Sequence, residues 1–220
     1  MSRPRRPALL RRRLDADGGT EPALDPSSWS GALIVMAAFV AVLWIVELVN
    51  AGEDNGLNRF GLKPRRLDGL YGVLTEPFLH ANYSHLLSNT LPVLTIGWVV
   101  MLSGLRTWLT VTAMVVVAGG LLTWLAAPGN QVIVGASGLV FGWLGYLLAR
   151  AWFARTFAWI AVALLVLVFF GSLLFSLFPT LDSKVSWQAH LAGFVAGVVT
   201  GGVLHPRGGG TRSFRRTAVS

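Results

Sequence analysis

The chain has 220 residues, 54% of them hydrophobic and 13% charged, and its mean hydropathy is +0.61. Soluble domains run at about 25% charged, so this composition cannot cover the surface of a water-soluble globule, and lipid is the expected solvent. The net charge of +8 does not point to nucleic acid, because most arginines lie in tails and short loops, where membrane proteins concentrate them; the lack of cysteine excludes disulfides, thiolate metal sites and a cysteine nucleophile.

In chain order, residues 1–28 are polar and hold Arg3, Arg5, Arg6, Arg11, Arg12 and Arg13, which reads as a disordered basic cytoplasmic tail. Six apolar stretches follow, near Trp29–Val49, His85–Ser103, Thr107–Ala127, Gly135–Ala149, Phe157–Phe178 and Trp187–His205. Each approaches the roughly 20 residues that a helix needs to cross about 30 Å of hydrocarbon. The expected fold is therefore all-α, a six-helix membrane domain over 29–205 with a second basic tail at 206–220. The first stretch is too long for the apolar region of a signal peptide and reads as a retained helix. A loop of Asn50–Ser84 separates the first two helices, and a loop of that length is often functional. Glu47, near the outer end of the first helix, is expected to pair with a loop arginine such as Arg65 or Arg66.

Orientation follows from the basic residues. With the N-terminus in the cytoplasm, the six tail arginines, Arg106, Arg150, Arg155, Arg207, Arg212, Arg215 and Arg216 all fall inside. Only Arg59, Lys63, Arg65, Arg66 and Lys184 fall outside. This bias predicts both termini in the cytoplasm.

Polar residues inside a membrane are functional candidates by default, because an unsatisfied polar group there is costly. Three groups stand out. The second helix opens with His80, His85 and Asn89, the fourth with Gly135-Ala136-Ser137-Gly138, and the sixth carries His190, Gly193, Gly197 and Gly201. Counted from the basic residue at the cytoplasmic end of each helix, at about 1.5 Å per residue, Ser137, His190 and Asn89 lie within about 5 Å of one level. Small residues four apart let helices approach closely in lipid. A serine hydroxyl needs a neighbouring base to become nucleophilic, and a neutral imidazole can take its proton and later return it to a leaving amine. Asn89 and His85, one turn apart, could donate to an oxyanion together with the Ser137 N–H. No acidic residue lies near His190 in sequence, so a dyad fits better than a triad. His80 reads as structural. No metal-ligand set and no cofactor motif is visible.

These motifs resemble the rhomboid family of intramembrane serine proteases. Gly135-Ala136-Ser137-Gly138 is similar to its GxSG nucleophile motif. His190 with Gly193 and Gly197 resembles its AHxxGxxxG motif, and His80, His85 and Asn89 its HxxxxHxxxN pattern. The resemblance implies a Ser137–His190 dyad cutting single-pass membrane proteins near the outer face, with small residues preferred before the scissile bond. Two departures are visible. Tyr71-Gly72 stands where many members carry Trp-Arg in the first loop, and Phe141 stands where many place a tyrosine stacked on the catalytic imidazole. The stacking is expected to survive.

Two other classes fit less well. A catalytically dead relative that binds membrane clients would lack the serine or the histidine, and both are present. A transporter or channel would show charges in several helices or repeat symmetry, and neither is visible. Residue usage and the six-helix plan point to a bacterial plasma membrane. Substrate identity and oligomeric state are not written in the sequence.

Overall fold

The computed structural model describes residues 28–179 and 186–205. Apart from Ser28, the two expected tails lie outside the described residues. Six long helices are present there: α1 Trp29–Gly52, α2 Tyr83–Met101, α3 Leu105–Ala126, α4 Ser137–Ala154, α5 Phe157–Leu177 and α6 Trp187–Leu204. Five of them are long and apolar enough to cross a membrane. The exception is α4, whose 18 residues include glycines, Trp143, Tyr146 and Arg150. It differs because it is the central helix. Trp143, Leu144, Tyr146 and Leu147 are fully buried, so α4 meets protein on most sides and has little lipid to match. By contrast α5 exposes Leu164, Leu165, Val168 and Phe169, a surface that only lipid would cover without penalty.

Local chemistry sets the helix starts. Ser28 accepts the Gly31 N–H at 3.0 Å, Asn82 the His85 N–H at 2.9 Å, and Ser186 the Ala189 N–H at 3.3 Å. Each satisfies one donor that a helix N-terminus leaves free. Capping by Asn82 starts α2 at Tyr83, two residues earlier than the sequence predicts. Midway along α3, Val115–Gly119 widens into a π turn, a distortion often found beside functional sites.

The most extensive packing is between α4 and α6. A Cβ on Gly193 would strike the carbonyl of Gly138, and one on Gly197 the carbonyl of Gly142. The glycines are thus required by backbone contact, as small-residue packing in lipid predicts.

The long loop is structured, with 3₁₀ turns at Gly56–Phe60, Leu67–Gly69 and Glu76–Phe78 and a helical turn at Gly72–Thr75. Its anchoring does not need a Trp-Arg pair. Leu62 forms an antiparallel bridge with Ile133, the Arg65 N–H donates to the Trp124 carbonyl at 3.0 Å, and Trp124 Nε1 donates to the Arg66 carbonyl at 3.0 Å. Tyr71 donates to the Arg59 carbonyl at 3.2 Å. At Gly72 any side chain would collide with the Leu62 backbone, so a larger residue has no room in this version of the loop.

The expected pairing of Glu47 with Arg65 or Arg66 is not what the structure holds. Arg66 pairs with Asp68 at 2.9 Å. Glu47, 1% exposed, accepts from Asn50 Nδ2 at 3.1 Å. That same amide donates to the His80 carbonyl at 3.1 Å. The physical reason is reach and solvation: the exposed arginine takes the nearest exposed carboxylate, while Glu47 is sealed under the loop with an amide one turn away.

Candidate active site

The segment before α4 is held from two sides. The Gly135 N–H donates to the Glu76 carbonyl at 2.9 Å, and the Ala136 N–H to His80 Nε2 at 3.4 Å. Gly135 has φ of +128°, and a Cβ there would lie 2.7 Å from His85 Cε1. Both the dihedral and the histidine ring therefore require glycine. This places Ser137 as the first residue of α4, where backbone N–H groups have no helical partner.

Across the α4–α6 contact, Ser137 Oγ lies 2.9 Å from His190 Nε2. The other ring nitrogen, His190 Nδ1, lies 3.1 Å from the Ser176 carbonyl at the end of α5. A carbonyl only accepts, so this contact fixes the proton on Nδ1 and leaves Nε2 free to accept from the serine. The Phe141 ring stacks on the imidazole, with centroids 4.2 Å apart and planes at 24°. His190 is 4% exposed.

Asn89 and His85 border the same cavity of about 170 Å³ as Ser137, Ser176 and His190. Asn89 Nδ2 already donates to the His85 carbonyl at 2.9 Å, which leaves the second amide hydrogen available. Pro92, one turn on, also lines the cavity and lacks the N–H that would occupy the Ser88 carbonyl. His80 is fully buried, and burial, with His85 close by, lowers its pKa to about 4. It is therefore neutral at physiological pH and able to accept from Ala136. Its ring meets that of His85 edge-on at 5.2 Å.

The sequence-predicted residues Ser137, His190, His85, Asn89 and Phe141 thus converge, with Gly135, Gly138, Gly193, Gly197 and His80 supporting them. Two further groups beside Ser137 and His190 were not expected from the sequence. The Ser176 carbonyl is backbone and leaves no residue-type signal. Glu76, four residues before His80, is an acidic side chain in an apolar run, which could have been noticed. It is 7% exposed, and burial pushes its pKa up to about 8. Among the described residues no group of three or more His, Cys, Asp or Glu is placed to hold a metal ion.

Comparison with known proteins agrees with this architecture. Proteins of Mycobacterium tuberculosis and Mycobacterium bovis, both described as uncharacterized, are 39% identical to the chain over 198 residues, covering 87% of it and 82% of each relative. An uncharacterized protein of Mycobacterium leprae is 36% identical over 198 residues, covering 87% of the chain and 78% of that relative. The family model described as Rhomboid domain matches residues 68–207, a range that takes in Ser137, His190, His85 and Asn89. The chain is an integral membrane protein of bacterial type and belongs to the rhomboid family of intramembrane proteases.

Proposed function

We propose that this chain is a serine endopeptidase that cuts single-pass membrane proteins near the outer face of the membrane. The observation that carries the reading is the 2.9 Å contact between Ser137 Oγ and His190 Nε2, with Nδ1 held by the Ser176 carbonyl. Ser137 Oγ attacks the scissile carbonyl carbon while its proton passes to His190 Nε2. The carbonyl electron pair moves onto oxygen, where Asn89, His85 and the Ser137 N–H stabilise it. Collapse of this intermediate breaks the C–N bond, and His190 returns the proton to the leaving amine. A water then repeats the sequence on the acyl-enzyme and frees Ser137. The Ser176 carbonyl does for the imidazole what a triad carboxylate does elsewhere: it fixes tautomer and orientation, without supplying a full charge.

In this reading, basic tails at 1–28 and 206–220 flank a membrane domain at 29–205, and both tails face the cytoplasm, as the distribution of arginine supports. The substrate is a transmembrane helix entering from the bilayer, and no metal or cofactor takes part. Reporter fusions at Ser220 and in the long loop test the orientation; an externally active C-terminal reporter would overturn it.

A fluorophosphonate probe tests the chemistry. The detergent-solubilised wild-type chain should label at Ser137, Ser137→Ala should not label, and His190→Ala should label far more slowly. A folded wild-type chain that resists the probe, or a Ser137→Ala chain that labels as well as wild type, would sink the assignment.

A further inference from the structure

Two cavities meet at Ser137 and His85. The first, of about 170 Å³, contains His190, Asn89 and Ser176. The second, of about 120 Å³, is bordered by Glu76, His85, Gly135, Ser137, Gly138 and Ala189, and does not touch His190. In serine proteolysis the leaving amine takes its proton from the histidine, so the leaving side of the substrate occupies the cavity that holds His190. The residue whose carbonyl is attacked stays attached to Ser137 and must turn the other way, into the cavity bordered by Glu76.

Glu76 is unusual in that place. Its Oε2 is buried and has no hydrogen-bond partner. Among the described residues no cation pairs with it: the ion pairs there are those of Asp68 with Lys63 and Arg66. An unmatched carboxyl inside a protein is costly unless a partner arrives. The backbone of Glu76 is fixed by the Gly135 N–H at 2.9 Å, so its position is tied to the nucleophile's own loop.

We propose that Glu76 is a specificity-determining residue: it makes the cavity beside Ser137 select, in the residue before the scissile bond, a small side chain that bears a hydrogen-bond donor. Serine fits this description and alanine does not. The carboxyl is already out of water in the free chain, so the discrimination arises because an apolar residue leaves it unpaired, whereas a donor completes it. Sites built to hydrogen-bond a substrate group reject analogues lacking it for the same reason. This inference rests on the proposed serine chemistry.

The test separates the two. Peptide aldehydes that differ only in the last residue, serine or alanine, compete with a fluorophosphonate for Ser137 in the full chain. Labelling without competitor reports the nucleophile, and its failure would count against the protease reading. With labelling intact, the serine aldehyde should protect about five- to tenfold better than the alanine one, the factor expected of one buried hydrogen bond. In Glu76→Leu the two should differ by less than about twofold. Glu76→Met is a second apolar variant should the first fail to fold, and a thermal melt reports which are folded. Equal protection by both aldehydes in the wild type, or a serine preference that survives in a folded apolar variant, would overturn the role of Glu76.

Discussion

The Cα of Gly193 faces the carbonyl oxygen of Gly138 so closely that a methyl group on Gly193 could not fit between them. The contact sits one turn beyond His190 on α6 and one residue beyond Ser137 on α4. It therefore sets the separation of the two side chains. The next turn repeats it, with Gly197 against the Gly142 carbonyl. Replacing Gly197 by alanine should push the helices apart by a fraction of an ångström or more. Overpacking of this kind costs about 1–3 kcal/mol, and a misplacement near 1 Å can cost about 10²-fold in rate. Gly197→Ala should lower both the melting temperature and kcat. Wild-type values of both would show that the helices have slack the structure does not reveal.

The stack of Phe141 on His190 leads to a graded expectation. An aromatic pair contributes about 0.5–1.5 kcal/mol beyond burial, and here it orients the imidazole. Phe141→Leu should reduce kcat by roughly 3- to 10-fold with smaller change in KM, and Phe141→Tyr should retain activity. A leucine variant as fast as wild type would reduce the ring to filler.

Asn89 offers its spare amide hydrogen to the cavity shared by Ser137 and His190. If it donates to the oxyanion, Asn89→Ala should still label at Ser137 while kcat falls by about 10²–10³. KM should change little, because the charge appears only in the transition state. A loss of activity that tracks a loss of thermal stability, measured on one sample, would remove Asn89 from the chemistry.

Glu76 also makes stability depend on pH. Its pKa is raised from 4.5 to about 8 by burial, so the folded chain holds a proton that the unfolded chain has released between those values. Stability should therefore fall as pH rises from about 4.5 through 8 and level off above. One proton held across that pH range bounds the total loss at about 5 kcal/mol. His80 acts in the opposite sense: its pKa is lowered from 6.5 to about 4, and its contribution is lost as pH falls through that range. Melts of wild type and Glu76→Gln should converge near about pH 5 and separate at about pH 9, with the variant the more stable. Parallel curves across the range would mean that Glu76 is not buried as described.

Composition and spacing along the chain decide the solvent, the helices and which candidate catalytic side chains they carry. A charge content of 13% with apolar runs of about 20 residues leaves a bilayer as the only medium. Ser137, His190 and Asn89 could be set at one depth simply because helices rise by a fixed distance per residue. What one-dimensional spacing cannot give is rotation and partner. Which face of α4 meets α6 is decided by glycine backbones in contact. The group behind the proposed Ser137–His190 dyad is the Ser176 carbonyl, and a backbone atom has no sequence signature. Glu47 departs from expectation because opposite charges suggest a pair in sequence, whereas the folded loop buries this carboxyl beside the Asn50 amide and leaves Arg66 with Asp68 in water. Glu76 came to Ser137 only because the long loop folds back onto the segment before α4, through the Leu62–Ile133 bridge and the Gly135 hydrogen bond. Such non-local contacts depend on tertiary packing, and tertiary packing brought an inconspicuous loop glutamate to the cavity beside the serine, with His85, Gln131 and Ser186.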